Sequence, residues 1–167
     1  LIPKTIKHIF IISDRRERIE TLRKIAKAVN SDKTMIFINT KYDLEESLQK
    51  LQYHNYNVAA LAGNIDKQSK KKAVEDFQNG RLQYLLATDV AARGLQIDHV
   101  STVINVNLPE EPTEYLHRAG RCGRNNEQGL CISIITENEL NKIKKYQKAF
   151  NINIVQKRLY NGKIVSK

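Results

Sequence analysis

The 167-residue chain is 41% apolar and 7% aromatic, enough for one packed core, which excludes both a disordered segment and a two-domain enzyme. No apolar run approaches the roughly 18 residues of a membrane span, and the opening LIPKTIKHIF lacks the zones of a secretory signal. The net charge of +10 points to a polyanionic partner, but residues 140–167 carry eight basic and no acidic side chains, which leaves 20 basic against 18 acidic, only +2, over residues 1–139.

In chain order, short apolar runs predict strands over Ile6–Ile12, Thr34–Ile38, Asn57–Leu61, Leu82–Ala87, Val100–Val106 and Leu130–Ile135. Helical stripes lie between them. Ile19, Leu22, Ala26 and Val29 follow a capping Asp14; Leu44, Leu48 and Leu51 follow Thr40; Ala73, Val74 and Phe77 follow Asp66. A helix from about Glu139 to Phe150, a strand and a short tail complete the chain. Strands too apolar to alternate are buried on both faces, so the expected class is α/β, a mostly parallel sheet with helices on both sides. The chain starts at Leu1 without an initiator methionine, as a piece of a longer protein would.

Loops leaving the carboxyl ends of such strands form the natural ligand crevice, because helix N-termini with free N–H groups converge there. The loops Asn39-Thr40-Lys41, Ala62-Gly63-Asn64, Thr88-Asp89 and Asn107-Leu108-Pro109 are small, polar or turn-forming, which suits backbone contact with phosphates. Singly, Gly63 or Thr88 is more simply a turn or cap residue. The basic end is likewise more simply a solvated face, unless other features name a nucleic acid.

His117-Arg118-Ala119-Gly120-Arg121-Cys122-Gly123-Arg124 carries the chemistry. Arg121 and Arg124 are three apart, so on a helical turn they project to one side and grip a single phosphate group with planar, permanently charged forks. No G-x-x-x-x-G-K-[ST] loop cradles phosphates, and no acidic pair follows a strand to hold magnesium, since Glu110-Glu111 lies between two prolines. The other half of the site must therefore come from another domain or molecule, as when an arginine finger is supplied across an interface. Cys122 and Cys131 are too few for a disulfide framework and lack zinc-site spacing, so a reducing compartment and no metal site are expected.

Over nearly its whole length the chain resembles the C-terminal RecA-like domain of DEAD-box RNA helicases. Met35–Thr40 (MIFINT) looks like motif IV, Leu61–Gly80 like the following segment, Leu85–Ile97 (LLATDVAARGLQI) like motif V and His117–Arg124 (HRAGRCGR) like motif VI. Motif VI opening with His rather than Gln marks the DEAD-box branch. The resemblance implies a three-layer RecA-like sandwich over residues 1–167, with an ATP-binding N-terminal domain outside this chain that holds most of the ATP and its Mg2+. It implies that Arg121 and Arg124 reach the γ-phosphate, that Gly94 approaches the nucleotide through its backbone and that His117 and Arg118 tie motif VI to the partner domain and to motif V. Asn39, Thr40, Gly63, Lys70 and Thr88 would contact the backbone of one RNA strand, largely independent of sequence. A cytoplasmic, monomeric protein with no membrane partner is expected.

The chain departs from the family pattern in three places. Gln96 stands where the family has an Asp for the ribose hydroxyls, Ala62-Gly63 replaces His-Gly, and Lys67 and Lys70 replace Q-x-x-R. Gln96 retains a ribose hydrogen bond without charge assistance. Cys122 stands in place of the usual Thr and reads as a passive small residue, and Cys131 as core. The competing reading is an RNA-binding module or scaffold that has lost catalysis.

Overall fold

The computed structural model describes residues 2–62 and 64–167. Among them eight strands form one sheet: β1 (Ile6–Ile12), β2 (Thr34–Phe37), β3 (Val58–Leu61), β4 (Tyr84–Ala87), β5 (Thr102–Asn105), β6 (Gly129–Ile135), β7 (Ile154–Tyr160) and β8 (Lys163–Ser166), in the order β3-β4-β2-β5-β6-β1-β7-β8. Every pairing is parallel except β7 with β8. The helices are α1 (Arg18–Val29), α2 (Lys41–Tyr53), α3 (Lys67–Gln78), α4 (Asp89–Ala92), α5 (Pro112–Ala119) and α6 (Leu140–Phe150).

Successive strand residues point to opposite faces, which splits the core in two. Met35, Phe37, Leu85, Ala87 and Val103 pack with Phe77 of α3, Tyr115 of α5 and Ile143 and Tyr146 of α6. Ile36, Ile38, Leu86, Ile104 and Ile132 pack with Leu22 and Ile25 of α1 and Leu44 and Leu51 of α2. This is the expected three-layer α/β sandwich.

The caps at Thr40 and Asp66 form as expected, accepting from the N–H of Asp43 at 3.2 Å and of Ser69 at 2.7 Å. Asp14 makes no side-chain cap; a 3-10 turn, Arg15–Glu17, intervenes and α1 starts at Arg18. β4 and β5 each start two residues later than their apolar runs because backbone bonds outside the ladder claim the first residues. Leu82 N–H donates to Asp76 and Gln83 N–H to Asn57 ahead of β4, and Val100 N–H donates to the Arg121 carbonyl ahead of β5. The expected tail after β7 is a strand. Asn161 (φ 51°) and Gly162 (φ 74°) make a two-residue turn with both φ angles positive, pairing Tyr160 with Lys163. The Asn-Gly dipeptide is the sequence signal for that hairpin.

His8 is 5% exposed. Its Nδ1 lies 2.8 Å from the Tyr115 hydroxyl, its Nε2 has no partner among the described residues, and burial pulls its pKa down to about 4. The fold therefore holds His8 neutral where the unfolded chain takes up a proton. Stability is expected to fall as pH drops from about 6.5 toward 4, by up to about 3 kcal/mol from this residue. Denaturant titrations across that window check this, since the profile of His8→Gln must be shallower than that of the parent; equal slopes would refute it.

Candidate functional site

Helix α5 opens on Pro112, whose missing N–H costs nothing in a first turn. It closes at Ala119, so Arg121 and Arg124 do not share a helical turn as their spacing suggested. Past Gly120 the backbone crosses to Val100, in a bridge between Val100 and Cys122, and turns at Gly123 with φ +68°. A Cβ at Gly123 would lie 2.5 Å from Ile6 Cγ1, so only glycine lets the loop pass this close to β1. Arg124 opens the 3-10 turn that follows.

Arg118 is 1% exposed and every guanidinium N–H has a partner. Nε and Nη2 form a fork on Asp89 at 2.8 and 2.7 Å, Nη2 also reaches Asn39 Oδ1 at 2.8 Å, and Nη1 donates to Asn105 Oδ1 at 3.2 Å and the Asn107 carbonyl at 2.8 Å. The same group lies 5.1 Å from the centroid of the Phe37 ring. It ties motif VI to Asp89 of motif V and to the ends of β2 and β5. No N–H is left for another domain, so of the two residues expected at a domain contact only His117 is exposed, with Nδ1 3.6 Å from Glu114.

Arg121 and Arg124 line a cleft of about 1160 Å³ together with Asp89, Gly94, Gln96 and His117. The cleft starts beside Pro3–Thr5 and Ile97, which precede β1 and β5, and climbs along the α5 face of the sheet to Asp89. It is therefore not confined to the carboxyl-end loops where the sequence placed the whole site. Arg121 is half-buried. Its Nη1 donates to the carbonyls of Leu95 and Ile97 at 3.0 and 3.5 Å and its Nη2 to that of Ala92 at 3.3 Å. Burial, and then the adjacent charge of Arg124, lower its pKa from the usual guanidinium value. Arg124 is exposed, uses Nε on the Gly120 carbonyl at 2.9 Å and has no partner for either Nη among the described residues. Gly94 holds φ +79° with nothing within 4 Å of where a Cβ would stand, and Gln96 is exposed two residues on. The cleft thus offers two arginines with no ion pair among the described residues, an open backbone and a neutral amide. Among the described residues no three His, Cys, Asp or Glu side chains converge on a metal position.

The other expected contacts gather at the carboxyl ends of β2 and β4, which are paired through Phe37 and Ala87. Thr40 and Thr88 cap α2 and α4 by accepting from backbone N–H, which leaves each hydroxyl proton free to donate. Asn39 differs. Its Oδ1 accepts from Arg118, its amide donates to the Leu108 carbonyl at 2.9 Å and its own N–H donates to Asn107 Oδ1 at 2.9 Å, so it braces the loop. Lys70 is half-buried in α3 with no ion pair among the described residues, and Gly63 lies outside them. The thiol of Cys122, 3.2 Å from the Ala119 carbonyl, is raised by burial to about 12, and Cys131 to about 11, so both are unreactive core residues. Sequence reasoning placed Asp89 and Asn107 in the crevice loops as phosphate contacts, whereas the structure commits both to Arg118, and it missed Asn105.

Sheet order and helix layers together define a mostly parallel α/β sandwich with an open, arginine-lined cleft. Residues 17–126 match the family described as helicase conserved C-terminal domain. The chain is 34% identical over 160 residues to the DEAD-box ATP-dependent RNA helicase CshC of Bacillus cereus, covering 96% of this chain and 41% of that protein. It is 32% identical over 162 residues to the probable ATP-dependent RNA helicase YfmL of Bacillus subtilis, covering 97% and 43%. It therefore spans about two fifths of the length of these relatives. The solved C-terminal domain of the DEAD-box protein Dbp5 superposes with a TM-score of 0.86 at 29% identity, covering 92% of this chain and 91% of that one. S. cerevisiae Dbp5 bound to RNA and ADP BeF3 gives 0.86 at 28%, covering 95% and 43%. The chain belongs to the helicase conserved C-terminal domain family and is a DEAD-box C-terminal domain with the RecA-like fold.

Proposed function

We propose that this chain is the RNA-binding, finger-supplying half of an ATP-dependent RNA helicase whose ATP-binding domain lies outside residues 1–167. The observation that carries the reading is the pair Arg121 and Arg124 on a cleft with no phosphate cradle of its own. A guanidinium whose charge is opposed by burial and by a like neighbour is stabilised when an anion arrives beside it. ATP, held with Mg2+ by the other domain, supplies the phosphoanhydride bond that is broken. Arg124 meets the terminal phosphate with its free Nη groups, and Arg121 exchanges its carbonyl partners for the phosphate oxygens. Gly94 lets the nucleotide approach the backbone, Gln96 takes a ribose hydroxyl, and His117 faces the partner domain.

RNA is the proposed partner at the carboxyl ends of β2 and β4, beyond the Asp89 end of the cleft, where Thr40, Thr88 and Lys70 take phosphates of one strand and Asn39 holds the loop in place. The RNA-bound relative supports this assignment. Closing the two domains on both ligands makes each tighten the other's binding, and the bent strand separates locally from its complement. No helix among the described residues is long and apolar enough to cross a membrane. We place the protein in the cytoplasm as a monomer.

Titrating ATP into this chain alone is expected to yield no turnover above background, with or without RNA. Clear hydrolysis by the purified domain would overturn the half-site reading. If RNA binding persists while the two-domain protein also fails to hydrolyse ATP, the chain is a scaffold instead.

A further inference from the structure

Tyr42 is 75% exposed, and its hydroxyl makes no hydrogen bond among the described residues. It lies in the first turn of α2, two residues after the cap Thr40 and directly after the exposed Lys41. Of the five large apolar side chains left exposed among the described residues (Tyr42, Tyr53, Val90, Val155 and Tyr160), two follow the cap threonines at a spacing of two: Tyr42 after Thr40, and Val90, 69% exposed, after Thr88. The cap hydroxyls and these two apolar residues thus follow the carboxyl ends of the paired strands β2 and β4, and Lys70 lies in the first turns of α3 after β3, the next strand of the sheet; a lone surface tyrosine would need no explanation. An exposed ring beside phosphate donors is the pairing that single-stranded nucleic acid sites use, since every base offers a π face.

We infer that Tyr42 stacks on a base of the bound RNA strand, holding one nucleotide against the row of phosphate contacts. The inference rests on the RNA reading proposed above. It adds a contact made through the base, with no preference among bases, to contacts made only through the backbone. Tyr53 supplies an internal control. It is 83% exposed at the other end of the same helix, about 16 Å away at the helical rise, beside His54 and away from the threonines.

The test is a set of binding titrations of the chain with labelled oligouridylate and with the matching abasic oligonucleotide. Tyr42→Ala is expected to weaken oligouridylate binding roughly five- to hundredfold, while Tyr42→Phe and Tyr53→Ala bind as the parent does. The abasic strand should bind weakly and be indifferent to Tyr42→Ala. If Lys70→Ala and Thr88→Ala weaken binding but Tyr42→Ala does not, or if Tyr42→Ala weakens both strands equally, the stack is refuted and the RNA row stands. If none of these variants alters binding, or the parent binds no RNA, the RNA reading itself falls and the stack with it.

Discussion

Arg124→Ala, in the two-domain enzyme proposed above, is expected to lower RNA-stimulated ATP turnover about a thousandfold or more, which corresponds to roughly 4 kcal/mol of transition-state stabilisation. The side chain is exposed and anchored only through Nε, so its removal disturbs little else and the Michaelis constant for ATP should barely move. Arg121→Ala is expected to cost turnover to a similar degree and to raise that constant as well. Its guanidinium binds the carbonyls of Ala92, Leu95 and Ile97, the loop that presents Gly94 and Gln96 to the cleft, and that loop loosens without it. Steady-state kinetics with saturating RNA separate the two effects. Arg124→Lys should recover little, because a point charge cannot reproduce a two-pronged contact with phosphate oxygens. Retention of half the parent activity by Arg124→Ala would end the finger assignment.

Arg118→Ala should destabilise the domain by about 3–5 kcal/mol, the cost of breaking a buried ion pair by removing one partner. At about 2–4 °C per kcal/mol for a domain of this size, the melting temperature falls by about 6–20 °C. The loss strands the Asp89 carboxylate and the oxygens of Asn39, Asn105 and Asn107 together, and it leaves the face of Phe37 bare. Lysine has three donors on one atom and cannot span five acceptors, so Arg118→Lys should recover only a fraction. Chemical denaturation reads both variants, and a loss under about 1 kcal/mol for Arg118→Ala would show that the network is not holding the fold. Because Arg118 links Asn39, beside Thr40, to Asp89, beside Thr88, the same variant should also weaken RNA binding under conditions where it remains folded.

Legibility differed between elements for physical reasons. Strands such as Ile6–Ile12 are buried on both faces, so their apolar runs needed no partner information to be found. The caps at Thr40, Asp66 and Thr88 are local, made by one side chain to a backbone N–H three residues on, and a local pattern records them. The β7–β8 hairpin was missed, the segment after β7 being read as a tail, although its Asn-Gly turn is an equally local signal.

Composition and period by themselves determined the α/β class and showed arginines without a phosphate cradle, and the resemblance of short motifs to a known family supplied the helicase C-terminal reading, because each depends on residues near one another in the chain. Tertiary structure alone decided how those arginines differ. Arg118 meets Asp89 across 29 residues and Asn39 across 79, and is committed to the interior. Arg121 rests on carbonyls 24 to 29 residues away, and Arg124 bonds only four residues back and stays free. Three guanidinium groups with the same donors differ in role because hydrogen bonds over such separations exist only once the sheet has brought its strand ends together.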